Sequence, residues 1–108
     1  MYIGEKLIDR PFRWGIVGGG KTSQVGYKHR LGAMRDNTSF VLTAAAFDVD
    51  AERCKEFGRN LCMDEDRCYP DYKTMFEAEA KREDGIEVVD VATPNFLHYE
   101  VTKAALEA

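Results

Sequence analysis

The stretch Trp14–Gly26, WGIVGGGKTSQVG, contains a glycine-rich loop whose spacing fits two kinds of phosphate-binding motif. Residues Gly15–Thr22 have the G-x-x-x-x-G-K-T spacing of a P-loop, which binds nucleoside triphosphates. Residues Gly18–Ser23 are close to the G-x-G-x-x-G/A pattern, which binds dinucleotides. Both loops bind phosphates through backbone N–H groups at the start of a helix. The surrounding residues therefore have to distinguish a nucleotide hydrolase from a dinucleotide-binding protein.

The P-loop interpretation conflicts with the residues on either side of the loop. It requires the first strand to end before Gly15, which leaves PFRW, with a proline and an arginine, as that strand. Ile16 and Val17 would then lie in the loop, although β-branched residues favour strands. Asp90 is available as a magnesium ligand, but the apolar run around it places it inside a strand. The dinucleotide motif avoids both difficulties, because its turn starts at Gly18.

In the dinucleotide interpretation each motif position has a separate task. The first glycine makes the tight turn, and the second lets the pyrophosphate approach the backbone. The third position, which packs the helix against the strand, holds Ser23, and Gly26 offers a glycine for the same packing one turn later. The residues expected at the pyrophosphate are Gly18, Gly20, Lys21, Thr22 and Ser23.

An acidic residue follows the second strand, where a dinucleotide-binding protein holds the ribose of its cofactor. Asp48 comes directly after the apolar run Phe40–Phe47, although its spacing from Gly20 is longer than the usual ~20 residues. A carboxylate here repels a 2′-phosphate, so NAD is the favoured cofactor. Arg53 lies close enough to leave NADP open. The alternative is that Asp48 only caps a strand or a helix.

Strands and helices alternate along the chain in the order β-α-β-α-(β)-α-β-α. Strands are predicted at 13–17, 40–47 and 86–92, with a short edge strand at Arg67–Tyr69, and helices at 23–36, 50–62, 70–84 and 93–108. This alternation predicts an α/β fold in which helices cover both faces of a parallel sheet. A doubly wound, Rossmann-type sheet is the leading topology. We expect one domain at residues 12–108, preceded by a polar arm at 1–11.

Helical spacing identifies the faces expected to be buried. They comprise Ala51, Cys54, Phe57, Gly58 and Leu61 in the second helix, Tyr72, Met75, Phe76 and Ala80 in the third, and Leu97, Val101, Ala104 and Ala105 in the last. The acidic run MDEDR between the second and third helices is expected to be a solvated loop.

Composition excludes several classes of partner. The 108 residues carry a net charge of −4 and no long basic run, so nucleic acid is not expected as a partner. No apolar run is long enough to cross a membrane, and no signal peptide precedes the first strand, so a cytoplasmic location is expected. The 3 cysteines form no C-x-x-C pair, and both histidines lie far from them in sequence. Reduced, partly buried thiols and no metal site are therefore expected.

The segment VVDVATPNFLHYEVTKAALEA, together with WGIVGGG, resembles the N-terminal half of the Gfo/Idh/MocA oxidoreductases, which include glucose–fructose oxidoreductase and inositol dehydrogenases. Members have a strand that ends in T-P-N-x-x-H and a following helix that ends in A-L-x-A. Thr93, Pro94, Asn95 and His98 match the first pattern, and Ala105, Leu106 and Ala108 match the second. The resemblance covers nearly the whole chain from Arg13 onward.

The resemblance implies an NAD(P)-dependent dehydrogenase of sugars, cyclitols or related polyols. It assigns the pyrophosphate to the turn Gly18–Ser23, the adenosine ribose to Asp48, and the nicotinamide side to the T-P-N-x-x-H block. Independently, that block follows the carboxyl end of the last strand, where doubly wound sheets bind ligands. Pro94 favours an extended backbone before it, and Asn95 is expected to cap the next helix. His98 faces either the cofactor side or solvent.

The resemblance also implies that the family's catalytic groups lie beyond Ala108. These are the lysine of an E-K-P segment and a second domain that supplies an acid–base aspartate and histidine and the substrate pocket. We therefore expect the N-terminal part of a longer, homo-oligomeric enzyme, with no catalytic residue in this chain, a sheet incomplete at its C-terminal end, and no activity of the chain alone. Two alternatives stay open: a non-catalytic dinucleotide sensor or partner domain on the same fold, and a P-loop hydrolase.

Overall fold

The computed structural model describes residues 9–35 and 39–108. Within these ranges strands and helices alternate as β1 (Phe12–Gly18), α1 (Gln24–Ala33), β2 (Phe40–Ala46), α2 (Ala51–Asn60), α3 (Tyr72–Ala80), β3 (Val88–Ala92) and α4 (His98–Glu107). Short 3-10 turns occupy Glu65–Arg67 and Asn95–Leu97. Most of the predicted arm, residues 1–8, and residues 36–38 lie outside the described part of the chain.

The three strands form a parallel sheet in the order β2-β1-β3. Phe12 pairs with Phe40 at one end of β1, and Gly18 pairs with Ala92 at the other. The central strand therefore brings the carboxyl ends of all three strands to one edge. This arrangement confirms the predicted doubly wound, Rossmann-type sheet.

The sheet separates two apolar layers, because successive side chains of a strand point to opposite faces. Trp14 and Ile16 of β1 face one layer, with Cys54 of α2 packed against them, and Val17 faces the other, with Met75 of α3 and Val101 of α4. Ala44, Ala45 and Ala46 of β2 are buried at 7% exposure or less. Their small side chains let helices approach both faces closely.

The edge strand predicted at Arg67–Tyr69 was wrong in extent. Cys68 forms one parallel bridge with Ala45, and the backbone N–H of Tyr69 donates to the Ala45 carbonyl at 2.7 Å. No strand is assigned to residues 67–69, because the preceding 3-10 turn and the N-cap of α3 at Asp71 leave room for only one pair.

A buried ion pair replaces part of the predicted face of α3. Met75 and Phe76 are buried as predicted, but Ala80 is exposed and Glu79 is buried instead, at 3% exposure. The Glu79 carboxylate accepts from both Nε and Nη2 of Arg67, from the Tyr69 hydroxyl at 2.7 Å and from the Ile86 N–H at 3.2 Å. Arg67 belongs to the run expected to be solvated, and its 7% exposure corrects that expectation.

None of the helices in residues 9–35 and 39–108 has the length and apolar character needed to span a membrane. Within the same residues, no group of three or more acidic, cysteine or histidine side chains is placed to hold a metal ion. The cysteines are free; Cys54 and Cys68 are buried, and Cys62 is exposed.

Candidate functional site

The loop after β1 needs glycine because its backbone has positive φ angles and because neighbouring strand ends leave no room for side chains. Gly18 and Gly19 have φ angles of 77° and 67°, in the region that side chains rarely adopt. A Cβ on Gly18 would lie 2.5 Å from the Ala92 carbonyl oxygen, and one on Gly20 would lie 2.9 Å from the Phe47 carbonyl oxygen. The loop is therefore wedged between the ends of β3 and β2.

The loop leads directly into the start of α1. Ser23 is the N-cap, and its Oγ accepts the Gly26 N–H at 3.0 Å. The Ser23 N–H closes the turn on the Gly20 carbonyl at 2.9 Å. The N–H groups of Gln24 and Val25 precede any helical carbonyl that could bind them. Such N–H groups, with the positive end of the helix dipole, form an anion-binding position.

Close packing of helix against loop is provided by Gly26 and not by Ser23. A Cβ on Gly26 would lie 2.5 Å from the Gly19 carbonyl oxygen and 2.7 Å from its carbonyl carbon. The assignment of the third motif position to Ser23 was therefore wrong in its packing role, since that side chain caps the helix. The second expectation, that Gly26 serves one turn later, is confirmed.

Ser23→Ala is expected to lower the free energy of unfolding by about 1 kcal/mol, because the Gly26 N–H loses its acceptor at the N-cap. Chemical denaturation followed by circular dichroism measures this change. Thr22→Ala is the matched control, since Thr22 is exposed in the same loop. Equal losses in the two variants would show that the cap contributes nothing.

Arg30 was missed as a residue of the site. It is buried at 8% exposure, and its Nη1 donates to the Gly19 carbonyl at 2.6 Å. The guanidinium also lies 4.9 Å from the centre of the Phe57 ring, and burial lowers its pKa. Arg30, on α1, thus holds the glycine loop in place through the Gly19 carbonyl. The only sequence signal is its position one helical turn after Gly26, on the same face of α1.

A cleft of about 400 Å³ lies beside the loop at the end of β2; its lining includes Gly20, Lys21, Thr22, Asp48, Arg53 and Asn60. Oδ1 of Asp48 accepts from Arg53 Nη2 and from the Asp50 N–H, both at 2.9 Å. These bonds, the one from Arg53 first, lower the pKa of Asp48. Asp48 is therefore an ionised acceptor at neutral pH, in a space sized for part of a nucleotide.

The T-P-N-x-x-H block lies past the end of β3, on the other side of the loop. The Oγ1 of Thr93 is buried and has no hydrogen-bond partner among the described residues. His98 Nε2 lies 2.8 Å from the Thr93 carbonyl oxygen, so this nitrogen carries the proton and donates. Asn95 does not cap α4 with its side chain, because a 3-10 turn at Asn95–Leu97 separates it from the start of that helix.

The structure contradicts a P-loop. Ile16 and Val17 are buried in β1 and lie before the loop. Asp90, the only magnesium ligand that the sequence suggested, lies in the middle of β3, and its carboxylate is paired with His29 Nδ1 at 2.8 Å. The Asp90 carboxylate therefore contacts α1, and the residue lies inside β3 and not at its carboxyl end.

The geometry instead fits a dinucleotide. The loop and the first turn of α1 offer N–H groups to a pyrophosphate, and Asp48 offers an anionic acceptor on one side. On the other side, the unpartnered Thr93 hydroxyl offers a polar contact. A model of the oxidoreductase family with an NAD-binding Rossmann fold matches residues 12–108. The chain belongs to the Gfo/Idh/MocA family.

Relatives agree with this membership. An uncharacterized oxidoreductase, YfiI, from Bacillus subtilis (strain 168) is 68% identical over all 108 residues. An inositol dehydrogenase homolog from Azotobacter vinelandii, solved with NAD⁺, is 57% identical over 99% of the chain, with a TM-score of 0.93. Its structure with NADH and myo-inositol has 58% identity over 96% of the chain and a TM-score of 0.92.

The chain spans 28% of the length of YfiI and 27% of each Azotobacter vinelandii chain.

Proposed function

We propose that this chain is the cofactor-binding domain of an NAD-dependent dehydrogenase acting on a cyclitol, a sugar or a related polyol. The observation that carries the proposal is the glycine loop wedged between the ends of β2 and β3, with Asp48 on one side and Thr93 on the other. The substrate class is supported by the relative solved with myo-inositol.

In this proposal the glycine loop, Gly18–Ser23, binds the pyrophosphate of the cofactor. Gly18 and Gly20 let the loop fit against the ends of β3 and β2, and the first N–H groups of α1 donate to the phosphate oxygens. Thr22 and Ser23 lie at the same helix start. Lys21, exposed at the tip, adds a positive charge beside them. Arg30, whose side chain holds the Gly19 carbonyl, keeps the loop in place without touching the phosphates.

Asp48 accepts the hydroxyls of the adenosine ribose, with Arg53 as its partner. Thr93, Pro94, Asn95 and His98 line the nicotinamide side. The proton on His98 Nε2 is committed to the Thr93 carbonyl, so Nδ1 is the nitrogen left for a ligand. When bound, NAD⁺ supplies the hydride acceptor for oxidation of a carbinol carbon. The chain's own residues hold and orient it.

The chain alone is proposed to bind NAD⁺ without turnover, because the resemblance places the acid–base residues beyond Ala108. The chain covers only 27–28% of the length of its relatives, which supports placing cofactor binding in this chain and catalysis in the rest of the protein. The full protein would carry the substrate pocket and the contacts between its copies.

Calorimetry of the 108-residue chain tests the proposal. We expect NAD⁺ to bind and ATP with Mg²⁺ not to bind. Gly20→Val is expected to weaken NAD⁺ binding at least about tenfold, equivalent to ~1.4 kcal/mol, because the side chain meets the Phe47 carbonyl. Gly32→Val is the matched control, since a Cβ there meets nothing within 4 Å.

Two results would contradict the proposal. Magnesium-dependent ATP binding tighter than NAD⁺ binding would favour a nucleotide hydrolase. Formation of NADH on addition of myo-inositol to the purified chain would show that the catalytic residues lie within residues 1–108.

A further inference from the structure

Two of the cysteines meet inside the apolar layer beneath α2. Cys54 lies on α2 and is fully buried, and Cys68 follows the 3-10 turn Glu65–Arg67 and is 4% exposed. Both belong to one buried cluster, and the Cys68 thiol donates a hydrogen bond to the Cys54 sulfur. The fold thus brings together two thiols to which the proposed function gives no task.

A glycine of α2 makes this contact possible. Gly58 lies one helical turn after Cys54, and both are buried. A Cβ at Gly58 would collide with Cys68 Sγ, so the absence of a side chain lets this sulfur reach the surface of α2. The backbone of Cys68 is held by its bridge to Ala45, whose carbonyl oxygen lies 4.0 Å from Cys54 Sγ. The two sulfurs are therefore held side by side between the helix and the sheet.

The surroundings of Cys54 favour its ionised form. The hydrogen bond from Cys68, together with those from the N–H groups of Phe47 and Asp48, lowers the pKa of Cys54 to about 7, although burial acts to raise it. The same hydrogen bond raises the pKa of Cys68. Since the thiolate is the form of cysteine that attacks an oxidant, Cys54 is the nucleophile of the pair and Cys68 is the second thiol.

We propose that Cys54 and Cys68 form an oxidative modification site, at which hydrogen peroxide converts the two thiols into a disulfide that weakens dinucleotide binding. Peroxide is a small oxidant, and local opening of the segment between α2 and α3 is enough to admit it. The site lies in the core and shares no residue with the glycine loop.

The reaction balances with one peroxide. The Cys54 thiolate attacks a peroxide oxygen, so that an S–O bond forms, the O–O bond breaks, and the leaving hydroxide takes up the proton that Cys54 had lost and becomes water. Cys68 then attacks the sulfur of this sulfenic acid. The S–S bond forms, the S–O bond breaks, and the oxygen leaves with the Cys68 proton as a second water. The two sulfurs together lose two electrons, and the peroxide gains them.

The disulfide acts on the cofactor site through Phe47. A disulfide bond is about 2.05 Å long, shorter than a hydrogen bond between thiols, so its formation draws α2 and the segment after the 3-10 turn together. The Cys54 sulfur accepts the Phe47 N–H at 3.3 Å, and the Phe47 carbonyl limits the space at Gly20. Asp48 is the next residue. This effect on binding rests on the proposed function, whereas formation of the disulfide does not.

Peroxide treatment of the purified 108-residue chain tests the inference. Disulfides are located by mass spectrometry after peptic digestion, and NAD⁺ binding is measured by calorimetry before oxidation, after it, and after reduction with dithiothreitol. We expect an intramolecular bond between Cys54 and Cys68 and NAD⁺ binding at least about threefold weaker in the oxidised chain. Reduction is expected to restore the original affinity.

Cys62→Ser is the matched control, because Cys62 is exposed and is not part of the pair. Oxidation should weaken NAD⁺ binding in this variant as much as in the unchanged chain, whereas Cys68→Ala should form no disulfide.

A disulfide that involves Cys62, or no disulfide at all, overturns the inference. A bond between Cys54 and Cys68 that leaves NAD⁺ binding unchanged also overturns it. In these cases the reduced chain still binds NAD⁺, and the proposed function stands. Failure of the reduced chain to bind NAD⁺ overturns the proposed function and the effect on binding together.

Discussion

Gly26→Ala is expected to lower the free energy of unfolding by about 1–3 kcal/mol, in the range of other overpacked interiors, and to weaken NAD⁺ binding at least about tenfold. The added methyl group would meet backbone atoms of Gly19, which cannot rotate away as a side chain can. Relief requires α1 to move away from the phosphate loop. Stability and cofactor binding should therefore fall together.

Gly32→Ala provides the opposite expectation on the same helix. A Cβ at Gly32 meets nothing within 4 Å, and the position is exposed. Alanine favours a helix over glycine, so this variant should gain roughly 0.5–1 kcal/mol. Urea denaturation of both variants, with calorimetry of NAD⁺ binding, measures the contrast. If Gly32→Ala lowered the free energy of unfolding as much as Gly26→Ala does, the contact between Gly26 and Gly19 would not be the cause of the loss.

Glu79→Ala is expected to be the most destabilising single substitution considered, at about 3–5 kcal/mol. It leaves the buried Arg67 guanidinium without its main partner and deprives the Tyr69 hydroxyl and the Ile86 N–H of their acceptor. Because an unpaired buried charge is costly, the loss should exceed that of the cavity alone.

Glu77→Ala is the matched control for this prediction. Glu77 lies two residues earlier on α3 and is 74% exposed, and among the described residues its one ion-pair partner is Lys81, at 3.4 Å. Its removal should change stability by no more than about 0.5 kcal/mol. Thermal and urea unfolding of the two variants compare them directly. Similar losses of stability would show that the buried ion pair contributes no more than the exposed one.

Acid should weaken the same network. Burial acts to raise the pKa of Glu79, but hydrogen bonds from Arg67 and Tyr69 outweigh it and lower the pKa below its ordinary value. The contribution of Glu79 is thus present above the unfolded pKa, near ~4.3, and is lost as the pH falls through the lower folded value. In Glu79→Gln, stability should fall less steeply over that acid range.

The order of elements and the sheet could be predicted because both follow from local patterns. Apolar runs such as Phe40–Phe47 and glycine or proline boundaries identify strands, and right-handed crossovers leave few ways to connect them. The positions of the glycine loop and of Asp48 could be predicted for the same reason, since both lie at the carboxyl ends of strands.

The errors at Arg67, Glu79 and Arg30 have a common physical cause, which is that a partner distant in sequence decided the outcome. Glu79 and Arg67 each look like solvated charges, and nothing in their own neighbourhoods shows that they pair across 12 residues. Arg30 likewise becomes part of the site only through the Gly19 carbonyl. At Asn95, a 3-10 turn replaces the first turn of the predicted helix, and local propensity could not distinguish the two.

The central position of β1 has a consequence for how the protein is made. β1 pairs on one side with β3, and Arg13 meets Glu87 from a distance of 74 residues along the chain. During synthesis at about 5–20 residues per second, β1 therefore waits ~4–15 s for its second neighbour to be made. Until then one edge of β1 has no native partner, and an unpaired strand edge is a template for pairing with another chain.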